Sequence, residues 1–320
     1  MQDQHAVASL YATNGERRLL WRAAIKWPLY SVAVMPVILA AGWRFGAGEV
    51  VRLDQFFGFL LASVLLLLWE NLTNDFFDAE TGIDTVAKPH SVVNLLGKRP
   101  LVGRMANLAL LAGLCLIFLL ALRSNIYVLF LVLVSCFLGY LYQGPPFRWG
   151  YQGLGEPLCW LAFGPFATAA ALLVLAPSSH HVVSIPWLTS LTLGSGPALA
   201  TTIVLFCSHF HQVAEDAAHG KLSPLVRMGT RRASQLVPIL LALVFILEWL
   251  PVIQGKWPLT ALFGIFGLPS GLGLIKLLSN YHDQPDLISG CKFLALRFQA
   301  LNGLGLSLGL AIAPSLGFHF

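Results

Sequence analysis

The chain has 320 residues, of which 57% are hydrophobic and only 11% are charged. A soluble domain normally carries about 25% charged residues, so a water-soluble globule is excluded and lipid is the expected solvent. The net charge of +5 does not indicate a nucleic-acid partner, because the basic residues lie between apolar runs instead of forming one patch.

The apolar runs predict an all-α membrane protein. A span needs about 20 apolar residues to cross the hydrocarbon core of a bilayer. Nine such runs lie near residues 27–43, 54–74, 102–122, 126–143, 155–176, 195–214, 233–250, 257–279 and 293–313. We therefore predict nine transmembrane helices in a single domain, residues 27–320, preceded by a basic cytoplasmic segment, residues 1–26.

The basic residues also predict an orientation. With the N-terminus placed inside, sixteen of the 20 Lys and Arg residues lie on the cytoplasmic side and four lie on the other. This bias is the positive-inside signal. Most of the acidic residues fall on the same side, where they contribute little to orientation and therefore indicate a functional site. The expected location is the cell inner membrane or the thylakoid, with the active-site loops cytoplasmic.

A first polar stretch, residues 70–78, follows the second predicted span and reads Glu-Asn-Leu-Thr-Asn-Asp-Phe-Phe-Asp. At about 100° per residue, four of its side chains share an arc of about 100° on one helix face: Asn71, Asn74, Asp75 and Asp78. Oxygen ligands at this spacing suit Mg²⁺, which binds one or two carboxylates together with phosphate oxygens. A helix end whose acids only cap it or pair with lysines would not need four such residues.

A second polar stretch, residues 209–221, ends the sixth predicted span. His209, Gln212 and Asp216 are expected to share one helix face, as the polar residues of the first stretch do. A glycine follows that can end the helix, and Lys221 then supplies a cation beside the acid. For His209, both a substrate contact and a position without a chemical role remain open.

Two acidic helix ends on one side of the membrane, each followed by a lysine, predict a site that binds a metal and a diphosphate. The candidate metal ligands are Asn74, Asp75, Asp78, Gln212 and Asp216. The catalytic candidates among them are Asp75, Asp78 and Asp216. The candidate diphosphate-binding residues are Lys88, Tyr142, Arg148, Lys221 and Arg227. The candidate substrate-binding residues are Asn71 and His209. Glu156 either acts as an acid at a helix N-terminus or has no chemical role.

This combination resembles the UbiA superfamily of intramembrane aromatic prenyltransferases. The first motif of that family, Asn-Asp-x-x-Asp, is present at residues 74–78. The second, Asp-x-x-x-Asp-x-x-x-Gly-Lys, is present at residues 212–221, except that Gln212 replaces the first acid. The resemblance implies nine transmembrane helices around a central cavity under a cytoplasmic cap, with Mg²⁺ as cofactor. It also implies a prenyl diphosphate and an aromatic acid as substrates.

Within the superfamily, residues 88–94 and 151–156 resemble the MenA branch, and His-Phe-His-Gln at 209–212 resembles its cyanobacterial phytyltransferases. This implies transfer of phytyl from phytyl diphosphate to 1,4-dihydroxy-2-naphthoate, with loss of diphosphate and CO₂, in phylloquinone or menaquinone biosynthesis. A related prenyltransferase using homogentisate or 4-hydroxybenzoate remains an alternative. A secondary transporter is another, although transport sites lie near the bilayer midplane and both acidic stretches here lie at one interface.

Overall fold

The computed structural model describes residues 14–83, 90–176 and 184–313. In these ranges every regular element is a helix and no strand occurs. Eight helical segments are long and apolar enough to cross a membrane, and a further apolar helix, Tyr127–Gln143, has 17 residues. The prediction of an all-α membrane protein is therefore confirmed, with nine apolar helical segments in the part of the chain that is described.

The helices follow one another as α1 (Asn14–Ile25), α2 (Ser31–Gly46), α3 (Leu53–Thr81), α4 (Val92–Leu96), α5 (Arg99–Arg123), α6 (Tyr127–Gln143), α7 (Gly155–Leu161), α8 (Ala167–Val174), α9 (Trp187–Ser208), α10 (Val213–Ala218), α11 (Pro224–Met228), α12 (Thr230–Ile253), α13 (Leu268–Tyr281) and α14 (Cys291–Ala311). Short 3₁₀ segments lie at Trp27–Tyr30, Trp149–Gln152 and Leu259–Gly267. A π-helical turn, Ala162–Phe166, joins α7 to α8, and the two helices form one span.

The membrane helices form a closed ring. Each one packs against the next in chain order, and α14, the last, packs along α2, the first. Large apolar side chains such as Leu108, Phe118 and Ile246 remain exposed on the helix surfaces. This is expected where lipid covers the outer surface, because a helix that is apolar on all sides needs an apolar environment. The short helices α4, α10 and α11 lie in the connections that follow α3 and α9, next to the acidic residues.

Glycines allow the closest helix contacts in this ring. A Cβ atom added at Gly305 would meet the carbonyl oxygen of Phe263, and one added at Gly309 would meet that of Thr260. Helix α14 therefore lies directly against the backbone of the Leu259–Gly267 segment. This is the close packing expected from small residues four positions apart in a membrane helix.

We expect Gly305→Ala to destabilise the fold, because the added methyl group must displace backbone atoms. Overpacking of this kind costs about 1–3 kcal/mol. The matched control is Gly290→Ala, because a Cβ at Gly290 meets no atom within 4 Å. Equilibrium unfolding in mixed detergent micelles measures both. Equal stability of the two variants would contradict the assigned contact.

Candidate active site

The first acidic stretch lies on a single continuous helix. Helix α3 extends to Thr81, past the predicted end of the span at residue 74, so Asn74, Asp75 and Asp78 share its last two turns. Gly82 ends the helix with φ of 79°, a left-handed conformation that favours glycine. Asp75 and Asp78 are each only 2% exposed. The sequence therefore placed these side chains on the correct element.

The Asp75 carboxylate is held from two directions. Its Oδ2 accepts a hydrogen bond of 2.8 Å from the backbone N–H of Val92, at the start of α4. The ammonium group of Lys26, which follows α1, lies 3.9 Å from Oδ1. Oδ1 is buried and accepts no hydrogen bond from the described residues. It is therefore available to a cationic ligand.

Asp78 is bound by a residue that the sequence analysis did not include in the site. The hydroxyl of Tyr151, in the 3₁₀ segment before α7, donates a hydrogen bond of 2.8 Å to Asp78 Oδ1. The same hydroxyl lies 3.0 Å from the Thr81 hydroxyl. The Lys221 ammonium lies 5.8 Å from the centroid of the Tyr151 ring. Tyr151 therefore connects the two acidic stretches. In the sequence, Tyr151 was noticed only as the first residue of the 151–156 stretch that resembles the MenA branch.

The second acidic stretch is not the continuous helix that the sequence predicted. Helix α9 ends at Ser208 and α10 begins at Val213, so the prediction of one shared helix face for His209, Gln212 and Asp216 is wrong. The Ser208 hydroxyl bonds to a carbonyl oxygen three residues earlier, at 2.6 Å. The backbone N–H of His209 also bonds to a carbonyl three residues earlier. Such local bonds compete with the α-helical pattern.

The break brings Asp216 back against His209. His209 Nδ1 lies 3.2 Å from Asp216 Oδ2, and Lys221 Nζ lies 3.3 Å from Oδ1. Burial lowers the pKa of His209 and so favours the neutral ring, whose Nδ1–H can donate to Asp216. Burial would raise the pKa of Asp216, but the His209 hydrogen bond and the Lys221 charge outweigh it and hold that pKa below its usual value. Asp216 is therefore an ionised, 1% exposed carboxylate.

The two candidate arginines have partners within the protein. Arg148 Nη2 lies 2.9 Å from Glu80 Oε2 at the end of α3. Arg227 donates to the carbonyl oxygens of Gln152 and Leu222, at 2.8 and 3.2 Å. Both side chains therefore hold the connections around the acids in place. Glu80 is a second residue near the site that the sequence analysis did not include.

The other candidates lie around the same helix ends. Asn71 donates its amide to the Leu67 carbonyl of its own helix, at 3.0 Å. Gln212 is half-buried, and its backbone carbonyl accepts the N–H of Asp216 at 2.7 Å. Tyr142 is half-buried with its ring against Gly150 and Gly155. Lys88 lies outside the described residues.

A closed ring of apolar helices with two buried acidic stretches, beside basic connections at one end, is the architecture of an intramembrane enzyme acting on a charged head group with an apolar tail. The chain belongs to the UbiA prenyltransferase family, whose model matches residues 29–296.

Two curated relatives are similar over nearly the whole chain. The 2-carboxy-1,4-naphthoquinone phytyltransferase of Synechocystis sp. is 42% identical over 299 residues, which cover 93% of this chain and 95% of the relative. The chloroplastic enzyme of the same name from Arabidopsis thaliana is 41% identical, over 92% of this chain and 78% of the relative.

Solved structures share the fold. A digeranylgeranylglyceryl phosphate synthase has a TM-score of 0.56 at 16% identity, covering 90% of this chain and 99% of its own. A UbiA homologue from Archaeoglobus fulgidus, bound to DMAPP and Mg²⁺, has a TM-score of 0.54 at 17% identity, covering 89% and 98%. At such identities the likeness establishes the fold alone.

Removal of the Tyr151 hydroxyl should weaken Mg²⁺-dependent binding of a prenyl diphosphate, because Asp78 loses the group that orients it. Loss of such a supporting hydrogen bond typically costs about 10–100-fold in metal affinity. We expect this rise in the apparent Mg²⁺ constant for Tyr151→Phe and no change for Tyr281→Phe, which alters a 39% exposed side chain. Overlapping Mg²⁺ titration curves for Tyr151→Phe and the unaltered protein would contradict this role.

Proposed function

We propose that this chain transfers a phytyl group from phytyl diphosphate to 1,4-dihydroxy-2-naphthoate, with release of diphosphate and CO₂, in the formation of a phylloquinone or menaquinone precursor. The observation that carries the proposal is the 42% identity over 93% of the chain to a phytyltransferase of that name. Buried carboxylates at the end of a membrane bundle support it, because the donor has a charged diphosphate and an apolar tail.

We also propose Mg²⁺ as the cofactor, held by Asn74, Asp75 and Asp78 of α3 together with Gln212 and Asp216 of the α9–α10 region. All of these side chains offer oxygen atoms, which are the ligands that Mg²⁺ prefers. Within the described residues, no group of three or more His, Cys, Asp or Glu could hold a metal ion. Diphosphate oxygens would therefore complete the coordination. The bound cation would supply positive charge that neutralises the leaving group.

The diphosphate is proposed to bind among Lys88, Tyr142, Arg148, Lys221 and Arg227. Lys221 is the best supported of these, because the residue is only 7% exposed and its ammonium group already lies beside an acid of the site. Arg148 and Arg227 reach the diphosphate only by sharing or leaving their present partners. Binding of the donor would therefore depend on the positions of the connecting segments that Arg148 and Arg227 hold in place.

The residues of the chain then act mainly by binding and positioning. Cationic side chains stabilise the negative charge that grows on the departing diphosphate. Burial of the site keeps water from the allylic cation. The cation is attacked by the naphthoate ring at the carbon that bears the carboxylate, and loss of CO₂ restores aromaticity. The phytyl tail remains in the apolar bundle or the lipid.

The protein is an integral membrane protein, and its orientation is a proposal. We propose that the N-terminus and the acidic ends of α3 and α9 face the cytoplasm. The support is the excess of Lys and Arg on that side, sixteen of 20 in the sequence.

Substitution of Asp78 or Asp216 by Asn should abolish most of the turnover, because the amide keeps the shape of the side chain but removes its charge. Loss of one such electrostatic group typically lowers kcat about 10²–10³-fold. The control is Asp283→Asn, in an exposed connection before α14. The turnover of all three variants is measured by mass spectrometry of the decarboxylated phytyl-naphthoquinol, with and without EDTA.

The unaltered protein also tests the class of acceptor. The protein could give product with homogentisate or 4-hydroxybenzoate and none with 1,4-dihydroxy-2-naphthoate. This result would support the proposed donor site and refute the proposed acceptor. Absence of product with any acceptor would refute the proposed reaction.

Reporter fusions test the orientation. A fusion ending at Gly255, in the connection after α12, should give active alkaline phosphatase and no green fluorescence in a bacterial host. A fusion ending at Asp286, in the connection before α14, should give the opposite result. The reverse pattern at both positions would refute the proposed orientation.

A further inference from the structure

A carboxyl group without a role in the proposed diphosphate site lies close to it. Glu156 is in the first turn of α7, and its side chain is 15% exposed. Both of its carboxylate oxygens are buried, and neither has a hydrogen-bond partner on another described residue. A buried carboxyl group left in this condition destabilises a membrane protein, so such groups usually serve a ligand or a partner.

Glu156 faces the imidazole of His209. Its Oε1 lies 3.7 Å from His209 Nε2, which is too long for a direct hydrogen bond. The other ring nitrogen, Nδ1, is held by Asp216 at 3.2 Å, so the ring orientation is fixed. Nε2 of the neutral ring and a carboxylate oxygen can both only accept, so a hydroxyl in this gap donates its one proton to Glu156 Oε1 and touches the His209 ring. Glu156 is therefore the acceptor for one hydroxyl group of a ligand, and the fixed His209 ring bounds the place of that hydroxyl.

The same place suits a ligand that also carries a carboxylate. Lys221 and His209 contact the same Asp216 carboxylate, at 3.3 and 3.2 Å, so the Lys221 ammonium group lies close to this place. A negative group beside the hydroxyl would thus be compensated by a lysine that adjoins the proposed diphosphate site. The proposed acceptor, 1,4-dihydroxy-2-naphthoate, carries such a hydroxyl next to its carboxylate, and both groups take part in the proposed reaction.

We propose that Glu156 is the base that binds and deprotonates the acceptor hydroxyl next to the carboxylate-bearing carbon, and that His209 positions this hydroxyl. The inference rests on the proposed function, because it names the place of the acceptor in that reaction. It makes Glu156 a catalytic residue and His209 a positioning residue.

The step balances without a further reactant. The O–H bond of the acceptor breaks and its proton moves to a Glu156 oxygen, which raises the electron density at the adjacent ring carbon. The C–O bond of phytyl diphosphate breaks with its electron pair leaving on the diphosphate, and the ring carbon then forms the C–C bond to the resulting phytyl cation. The bond to the carboxylate then breaks, its electron pair restores the aromatic ring, and CO₂ leaves. Glu156 returns the proton to the ring oxygen.

Glu156→Gln tests this role, because the amide can still accept the hydrogen bond but cannot take the proton. We expect kcat with 1,4-dihydroxy-2-naphthoate to fall about 10²–10⁴-fold, the usual contribution of a general base. KM for the acceptor should change little, and Mg²⁺-dependent binding of phytyl diphosphate should be retained. The matched control, Glu215→Gln, removes a carboxylate next to Asp216 on α10 and should keep the kcat of the unaltered protein.

A pair of acceptor analogues gives a second test that needs no variant. The 1-methoxy-4-hydroxy and 1-hydroxy-4-methoxy forms of 2-naphthoate have the same volume, but only the second keeps the hydroxyl next to the carboxylate-bearing carbon. The unaltered protein should convert the second form and should convert the first at least about 10²-fold more slowly.

The outcomes separate this inference from the proposed function. No product from the unaltered protein with 1,4-dihydroxy-2-naphthoate refutes the function and the role of Glu156 together. Normal product, with a kcat for Glu156→Gln within threefold of the unaltered protein, refutes the role of Glu156 alone. Equal turnover of the two methoxy analogues also refutes it. If Glu156→Gln loses donor binding or unfolds, equal turnover of the two analogues still refutes the inference.

Discussion

A carboxylate buried at the end of an apolar bundle requires a hydrogen-bonding or cationic partner, and the architecture of this protein follows from that requirement. Asp75 is held by the backbone N–H of Val92, Asp78 by Tyr151 and Asp216 by Lys221. None of these partners belongs to a membrane-spanning helix. Satisfying the acids therefore folds the connections over the helix ends, and this places residues from distant parts of the chain around one site.

The two acidic stretches differ in how much the sequence could establish. The register of Asn74, Asp75 and Asp78 was predictable because α3 continues unbroken through them, and the helical period alone then fixes their common face. The same argument failed at His209 and Asp216, because the chain leaves the α-helical pattern after Ser208. Periodicity cannot show where local side-chain bonds will interrupt it. The residues nevertheless meet, through a turn instead of a helix face.

Partners of the acids that lie far away along the chain could not be predicted from the sequence, for a different reason. Tyr151 is 73 positions from Asp78, and Arg148, predicted to bind phosphate, pairs with Glu80 across 68 positions. Which donor meets which acid depends on how the connections pack, and composition carries no information about that. Inside the bundle, Glu248 likewise accepts a hydrogen bond of 2.9 Å from Asn302, and both are almost fully buried. In the sequence, Glu248 is a single acid in an apolar run, and nothing there indicates that Asn302 is its hydrogen-bond partner.

The charges around the site also explain why protein side chains alone are insufficient for a diphosphate. Lys26 lies beside Asp75, Arg148 beside Glu80 and Lys221 beside Asp216. These cations already offset carboxylates, so they neutralise only part of the negative charge that a diphosphate adds. In a medium of low dielectric constant such an excess is costly. The proposed divalent cation would restore the balance, and donor binding would then depend on the metal.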